Sequence, residues 1–363
     1  MTRPNAWEKY DETQKQEVFD FAEKYRKFLT SCKTERECTA QLRAEAEKAG
    51  YRNLEDVAAS GRTLQPGDRV YADNGGKNIA FFIIGQKPLE AGMNILGAHI
   101  DSPRLDVKQN PLYEDTDLVL LDTHYYGGIK KYQWVTLPLA LHGVVVKKDG
   151  TQISVNIGDP VFGVSDLLIH LAGDQMKKTL AAGVEGEKLD VLVGSMPQAG
   201  AKENKVKETV LRILKDSYGI EEEDFLSAEL EVVPAGPARD YGFDRSMIMG
   251  YGHDDRVCAY PSFAAMLEVT EIPEYTGACI LVDKEEIGSV GATGMQSRFF
   301  ENTVAELVAV SGEYSDLKVR RALARSRALS SDVSAAFDPN YAEVSEKKNA
   351  AYFGRGVVFN KYT

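Results

Sequence analysis

Ile79-Ala80-Phe81-Phe82-Ile83-Ile84 is the stretch of sequence that decides the fold class. The run is continuously apolar, and a strand without alternation of polar and apolar residues is typical of a sheet covered on both faces. A turn, Asp73-Asn74-Gly75-Gly76, precedes this strand, which we predict over residues 78–86. Two further runs, Met93–Ala98 and Gly277–Val282, have the same apolar texture. The pattern predicts a layered α/β fold.

Helical periodicity surrounds these strands. Apolar residues recur at helical spacing in residues 11–30, and a second helix is predicted over 34–49, where Gly50 can end it. Further helices are predicted directly after Asp254 and over residues 301–310. Helices that alternate with buried strands are expected to pack on the faces of the sheet.

Residues 103–239 differ from the rest of the chain in their pattern of apolar and turn-forming residues. Short β-like runs dominate there, such as 118–121 and 143–147, and glycine-containing turns separate them. The polar stretch 198–207 has the composition of a loop. We therefore predict a discontinuous α/β domain, residues 1–102 and 240–363, that carries an inserted, mainly β domain over residues 103–239.

The composition excludes several functional classes. The 363 residues hold 43 Lys and Arg against 55 Asp and Glu, a formal net charge of −12. This balance argues against nucleic-acid partners, because phosphate contacts need clustered cations. The four cysteines are scattered and form no Cys-x-x-Cys pair. The N-terminus lacks an apolar signal segment, and no apolar run approaches the roughly 20 residues that cross a bilayer. We expect a cytoplasmic protein with no membrane partner.

Histidine and acidic residues gather next to the predicted strands and helices. His99-Ile100-Asp101 follows the strand at 93–98, and Glu285-Glu286 follows the strand at 277–282. Asp254-Asp255 leads into a helix, and Asp332 follows two serines in the fourth cluster, Ser330-Ser331-Asp332. The carboxyl ends of strands in an open α/β sheet share one edge, and ligand sites form there. These side chains can therefore converge although they are far apart in sequence.

The residue types in these clusters fit metal chemistry. Imidazole and carboxylate groups are ligands for zinc and related divalent ions. An extended backbone puts His99 and Asp101 on the same side, so Asp101 can accept the free ring N–H of His99. Of the adjacent Glu285 and Glu286, one can bind a metal while the other takes the proton of a metal-bound water.

Each cluster by itself also fits a structural role. Asp254 and Asp332 could cap a helix or a turn, and an acidic pair is commonly a solvated turn in a chain this acidic. His124 and His142 lie in the β-rich block and are interpreted as structural. The serine-hydrolase motif Gly-x-Ser-x-Gly, a Walker loop and Gly-x-Gly-x-x-Gly are absent from the sequence.

The order of the clusters resembles the aspartyl aminopeptidase family of co-catalytic zinc peptidases. The matching motifs are His99-x-Asp101, Asp254-Asp255-Arg256, Glu285-Glu286-Ile287-Gly288-Ser289 and Asp332. The segments 125–134, 166–171 and 338–341 also resemble bacterial members, so the resemblance covers nearly the whole chain. It implies a zinc-dependent aminopeptidase that removes N-terminal Asp or Glu from peptides. It also implies that the inserted domain forms dimers, which assemble into a tetrahedral dodecamer.

The resemblance implies two divalent metal ions per chain. Zinc is expected, and histidine and carboxylate ligands also accept cobalt or manganese. By the resemblance, His99 and Asp332 ligate one metal, Asp254 bridges both, and Glu286 ligates the second.

Three further roles follow from the same resemblance. Glu285 would be the general base, and Asp101 would be the carboxylate behind His99. His170 would reach the active site of a neighbouring subunit and contact the substrate there. Arg355 and Lys361 lie near the region that the family uses to select an acidic side chain.

The sequence departs from the family pattern at one ligand. The family supplies its last metal ligand, a histidine, from a C-terminal segment, whereas the last histidine here is His253. We therefore expect that the sequence represents part of a longer chain, and that the Glu286 metal lacks a ligand within these residues. Two alternatives to the acidic-specific enzyme follow, namely a broad-specificity aminopeptidase on the same scaffold and a non-catalytic assembly subunit or fragment.

Overall fold

The predicted strands pair into two separate sheets and one hairpin. The computed structural model describes residues 3–361. In chain order the strands are β1 (Arg52–Asn53), β2 (Arg69–Asn74), β3 (Asn78–Ile83), β4 (Met93–His99), β5 (Arg104–Asp115), β6 (Leu118–Tyr126), β7 (Leu139–Val146), β8 (Gln152–Val164), β9 (Val191–Gly194), β10 (Ala228–Pro234), β11 (Arg239–Tyr241), β12 (Met247–Met249), β13 (Thr276–Val282) and β14 (Arg327–Ser330). The six-stranded sheet has the order β1-β2-β3-β13-β4-β14. Strand β4 runs parallel to both of its neighbours, so the C-terminal ends of β13, β4 and β14 lie at one edge.

The helices confirm most of the predicted helical segments. In chain order they are α1 (Glu12–Ser31), α2 (Glu35–Lys48), α3 (Leu54–Ala59), α4 (Lys131–Trp134), α5 (Leu180–Gly183), α6 (Lys205–Tyr218), α7 (His253–Glu268), α8 (Phe299–Ser311) and α9 (Asp316–Arg325). Side chains cap both long N-terminal helices, because Asp11 and Thr34 each accept the backbone N–H of the third helical residue. Within residues 3–361, no helix is long and apolar enough to cross a membrane.

Helices cover both faces of the six-stranded sheet. Phe81 and Phe82 are neighbours on β3, and both are fully buried. The Phe81 ring lies 4.8 Å from that of Phe263 on α7, and the Phe82 ring stacks 6.2 Å from that of Phe300 on α8. Helices α1, α2 and α7 contribute to the core on the first face, and α3, α8 and α9 to the core on the second. The apolar run lacks alternation because both of its faces are buried, which confirms the α/β fold class.

A closed antiparallel barrel forms the second body of structure. Its strand order is β10-β5-β6-β9-β8-β7, and its core is lined by aliphatic residues such as Leu105, Val145 and Val232. All of these strands lie between Arg104 and Pro234, and all strands of the six-stranded sheet lie outside that range. The division into domains at residues 102/103 and 239/240 stays a prediction, as does the role of the insertion in dimerisation.

One predicted loop is partly wrong. The stretch 198–207 was expected to be irregular, but helix α6 begins at Lys205 and continues to Tyr218. Val206, Val210 and Leu214 recur at spacings of four residues and pack against the barrel core. Lys207, Glu208 and Arg212 are the charged residues between these apolar positions, and this amphipathic pattern begins only at the end of the predicted loop.

A buried group of charged residues joins the sheet to the barrel. The Lys77 Nζ lies 3.0 Å from Glu35 Oε1 and 3.5 Å from Asp283 Oδ2. Arg104 of β5 lies 3.6 Å from Glu35 Oε2 and 3.4 Å from Glu231 Oε2 of β10. Burial would raise the pKa of Glu35, but the charges of Arg104 and Lys77 outweigh it and hold the pKa at about 2. The ionised Glu35 therefore depends on both cations.

Candidate active site

The candidate site lies at the edge where strands β13, β4 and β14 end. His99 is the last residue of β4, and Glu285 and Glu286 form a short 3₁₀ turn after β13. Asp332 follows β14, and Asp254 lies in the first turn of α7. The parallel pairing of β4 with β13 and β14 brings these residues to the same edge, as the topology of an α/β sheet requires.

His99 is at the centre of the cluster. Its side chain is 2% exposed, and its Nε2 lies 3.0 Å from Asp254 Oδ1, 3.7 Å from Glu285 Oε2 and 4.0 Å from Asp332 Oδ1. Burial would lower the pKa of His99, but hydrogen bonds to Asp101 and Asp254 outweigh it and raise the pKa to about 11. The imidazole is thus surrounded by more negative charge than it can neutralise.

Two sets of three donors share His99. One set consists of a His99 ring nitrogen with a carboxylate oxygen each of Asp254 and Glu286. The other consists of a His99 ring nitrogen with a carboxylate oxygen each of Glu285 and Asp332, and the three atoms of each set lie within 4.8 Å of one another. Burial and the Asp254 charge raise the pKa of Glu286 to about 7. The buried Glu286 Oε1 has no hydrogen-bond partner among the described residues. A nitrogen donor, crowded carboxylates and an unpartnered buried oxygen fit the ligand chemistry of a divalent zinc ion.

Asp101 holds the central histidine and the glutamate turn together. The His99 Nδ1 lies 3.1 Å from the backbone oxygen of Asp101 and 3.3 Å from its carboxylate Oδ1. The same carboxylate accepts the backbone N–H groups of Glu285 at 3.2 Å and Glu286 at 3.3 Å. Burial would raise the pKa of Asp101, but hydrogen bonds from His99 and Tyr126 outweigh it and lower the pKa. The buried, ionised carboxylate therefore fixes the direction of the imidazole.

The barrel supplies part of this support. The hydroxyl of Tyr126, the last residue of β6, donates to Asp101 Oδ2 at 2.6 Å. The Arg104 guanidinium lies over the Tyr126 ring, 3.7 Å from its centroid. Gly127 has a φ of +73°, and a Cβ there would lie 3.2 Å from the Cβ of Glu286. Sequence reasoning missed the roles of Tyr126 and Gly127, although both belong to a segment quoted for the family resemblance.

The start of α7 is held by buried contacts. Asp255 Oδ2 accepts the backbone N–H of His99 at 3.4 Å, and burial raises the pKa of Asp255 to about 7. The Arg256 guanidinium donates to the backbone oxygens of Ile100, Cys32 and Lys33 at 3.0 to 3.2 Å. These contacts position Asp254 beside His99.

The remaining histidines that the sequence offers do not join the cluster. His253 contacts the Tyr25 hydroxyl at 2.9 Å and the Ile248 backbone oxygen at 3.0 Å. His142 lies 2.8 Å from Glu37 Oε1, which fits its interpretation as structural. His170 is exposed on the segment after β8, and no hydrogen bond or ion pair joins it to the cluster within residues 3–361.

The C-terminal residues lie on an exposed segment. The Asp332 side chain is 56% exposed, and its Oδ1 accepts the backbone N–H of Val333 at 2.6 Å. The Arg355 guanidinium lies 4.9 Å from the ring centroid of Tyr352, and Lys361 is exposed near the end of the described range. Neither cation belongs to the donor sets around His99.

Comparison with known proteins identifies the family of this site. Residues 28–363 match the family described as aminopeptidase I zinc metalloprotease (M18). The chain belongs to the M18 family of zinc aminopeptidases. Over 364 residues it is 62% identical to a probable M18 family aminopeptidase 1 of Clostridium acetobutylicum, covering 99% of this chain and 78% of that relative. A counterpart in Thermotoga maritima is 42% identical over 368 residues, with 100% of this chain and 79% of that relative covered.

Solved structures of M18 aminopeptidases have the same fold. The crystal structure of aminopeptidase I from Clostridium acetobutylicum superposes with a TM-score of 0.91 at 59% identity, covering 100% of this chain and 79% of that chain. The mApe1 dodecamer of S. cerevisiae has a TM-score of 0.73 at 20% identity, over 92% of this chain and 76% of that chain, and shows the fold alone. The chain is therefore a zinc metallo-aminopeptidase by family, which confirms the resemblance read from the sequence.

Proposed function

We propose that this M18 aminopeptidase uses two divalent metal ions to remove N-terminal Asp or Glu residues from peptides. The observation that carries the two-ion part is the pair of donor sets that meet at His99, because together they offer one imidazole and four carboxylates, more donors than the four ligands of one zinc ion. Zinc is the proposed ion, and cobalt or manganese would suit the same donors.

The proposed ligands divide between the two ions. His99 and Asp332 would hold one ion, Glu286 the other, and Asp254 would lie between them, which its 3.0 Å contact with His99 supports. When bound, such ions would polarise a scissile carbonyl and make bound water acidic near neutral pH. Asp101 would keep His99 oriented as a ligand through the contacts on Nδ1.

Glu285 is the proposed general base. Its carboxylate is half-exposed at the mouth of the cluster, whereas its backbone N–H is fixed by Asp101. Glu285 would take a proton from the attacking water at its carboxylate and return it to the leaving amine. The Glu285 Oε2 lies 3.7 Å from His99 Nε2, close enough to the proposed ligands to serve the reaction, and the proposal gives the bridging position to Asp254 instead.

The proposed assembly is a dodecamer built from dimers, in which His170 contributes to a neighbouring active site. Exposed apolar side chains flank His170, and their burial against a second subunit would be favourable; they are Leu167, Leu168, Ile169 and Leu171. Mixing His170→Ala subunits with Glu285→Gln subunits would test this arrangement. Partial recovery of activity in the mixture supports a shared site, and no recovery contradicts it.

A cytoplasmic location is part of the proposal. All four cysteines of the chain are free thiols, as is usual in a reducing compartment.

The substrate preference is tested with a peptide panel. Peptides that differ only in an N-terminal Asp, Glu, Leu or Lys are compared by kcat/KM, together with the metal content per chain. A preference for Asp and Glu supports the proposal. Equal turnover of all four favours the broad-specificity enzyme, and metal-loaded protein without turnover favours the non-catalytic assembly subunit.

A further inference from the structure

A cleft opens directly beside the metal-ligand cluster. Its volume is about 690 Å³, within the range of small-ligand sites. Ser102 and Asp254 line it on the side of the six-stranded sheet, and Trp134 and Pro234 line it on the side of the barrel. Because Asp254 belongs both to the cleft and to the donor set around His99, a molecule that extends from the cluster can enter this cleft.

The charges around the cleft are opposite in sign to those of the whole chain. Lys33, Lys130 and Arg239 line it, and Asp254 is the one carboxylate among its described lining residues. Within residues 3–361, none of these three cations forms an ion pair with a carboxylate. In a chain of net charge −12, a cleft with three unpaired cations concentrates positive potential at one place.

Lys33 is held rigidly at this cleft. Its side chain is 5% exposed, and Nζ donates to the Gly236 backbone oxygen at 2.8 Å. Its backbone N–H donates to Glu37 at 2.7 Å, and its backbone oxygen accepts from Arg256 at 3.0 Å. Burial lowers the pKa of Lys33 to about 8, because the ammonium has lost water without gaining a carboxylate partner. A buried lysine is normally paired, so an anion is the missing partner.

We propose that the cleft lined by Lys33, Lys130 and Arg239 binds the C-terminal carboxylate of a di- or tripeptide whose N-terminal residue lies at the metal cluster. The inference rests on the aminopeptidase function proposed above. A short peptide spans only about 3.3 to 3.6 Å per residue, so its free carboxylate stays close to the site at which its N-terminus is bound. A longer peptide places an uncharged amide at the same position and loses this contact. The cleft therefore favours short peptides with a free carboxylate.

The test compares matched substrates that differ only at the C-terminus. Asp-Ala-Ala and its C-terminal amide are measured with the metal-loaded enzyme, and Kd for both is measured by calorimetry with the Glu285→Gln protein. We expect the free acid to be favoured by about tenfold in KM and in Kd, the size of a charge-assisted hydrogen bond. Lys33→Met should lower the ratio to about twofold to threefold, because Lys130 and Arg239 remain, while turnover of the amide is retained.

Exposed variants keep the test valid if Lys33→Met does not fold. Lys130→Gln and Arg239→Gln should each reduce the preference by about twofold to threefold, as expected for solvated charges. Lys131→Gln is the matched control, because Lys131 is adjacent in sequence and does not line the cleft. It should leave the ratio unchanged.

Three results would overturn the inference. Equal Kd for the free acid and the amide in the Glu285→Gln protein would remove the basis of the inference. If a folded Lys33→Met protein bound the free acid and the amide more weakly by the same factor, the role of Lys33 would be structural. If the variants of Lys33, Lys130 or Arg239 changed the preference for N-terminal Asp over Leu but left the acid-to-amide ratio unchanged, the cleft would hold the N-terminal side chain of the substrate instead. Failure of the proposed function itself would be distinct, because no N-terminal residue would be released from either peptide while the Kd ratio persisted.

Discussion

Two halves of the candidate site are built very differently. The buried half is built on His99 and Asp101, which are buried and hold the half-exposed Glu285–Glu286 turn, and the exposed half consists of β14 and Asp332. Asp101 is fully buried and contacts His99, Tyr126 and the backbone of both glutamates. Asp332 is 56% exposed and accepts a hydrogen bond from the adjacent Val333 amide.

This difference shows which proposed ligands are positioned by the fold without a bound ion. In the buried half, a central strand and a hydrogen-bonded carboxylate determine the ligand directions before any ion binds. The exposed half depends on β14, whose four residues are all exposed and which, among the described strands, pairs with β4. Few contacts within residues 3–361 therefore fix the direction of the Asp332 side chain.

The largest expected effect comes from the proposed base in the buried half. Glu285→Gln keeps the size and the backbone contacts of the side chain but cannot take a proton. We expect kcat to fall by about 10² to 10⁴-fold with the metal content per chain unchanged. The exposed Glu271→Gln is the control, because Glu271 precedes the start of β13 whereas the cluster follows its end. Retained turnover in Glu285→Gln would disprove the assignment of the base.

The next prediction concerns the free energy of unfolding and the buried ion pairs of Lys77. Lys77→Met leaves the buried Glu35 and Asp283 carboxylates without this cation, and Asp283 lies two residues before Glu285. We expect the free energy of unfolding to fall by about 3 to 5 kcal/mol, measured by chemical denaturation. Lys348→Met, at an exposed position of the C-terminal segment, should leave it unchanged. Equal stability of the two variants would mean that the buried charges do not depend on Lys77.

A third experiment compares one carboxylate from each half directly. Asp101→Asn should weaken metal binding by about 10 to 100-fold, because the imidazole loses its charged partner. It should also lower the melting temperature of the metal-free protein. Asp332→Asn should weaken metal binding without changing that melting temperature, since the metal-free protein gives Asp332 few contacts. A lower melting temperature for metal-free Asp332→Asn would contradict the distinction between the halves.

The same contrast explains what could be predicted from the sequence. Strands β3, β4 and β13 form mainly apolar runs, so they can be predicted as strands without knowledge of their pairing partners. His99 and Asp101 lie two residues apart on one segment, and their proximity follows from strand geometry. The approach of Asp332 to His99 requires β14 to pair with β4, and Arg327-Ala328-Leu329-Ser330 carries no apolar run that predicts a strand. Asp332 is one of the acidic candidates in the sequence, but its role as a ligand beside His99 follows only from the family resemblance.

Contacts between the barrel and the edge of the sheet were not predictable. Tyr126 lies 25 residues from Asp101 and reaches it only because β6 of the barrel ends above the sheet edge. A tyrosine at the end of a strand predicts nothing about a carboxylate on another sheet, and the long-range packing of the two bodies decides the contact. The barrel therefore takes part in shaping the site, in addition to its proposed role in assembly.

The smallest effect tests this contribution of the barrel to the buried half. Tyr126→Phe removes the hydroxyl that donates to Asp101 at 2.6 Å and keeps the ring under Arg104. We expect an approximately fivefold weaker apparent metal affinity, in line with the loss of one hydrogen bond to a charged group. Tyr125→Phe is the matched control, because adjacent residues of a strand point to opposite faces and Tyr125 is exposed. If Tyr126→Phe binds metal as tightly as Tyr125→Phe, the backbone contacts of Asp101 suffice, and the sheet edge holds the buried half without the barrel.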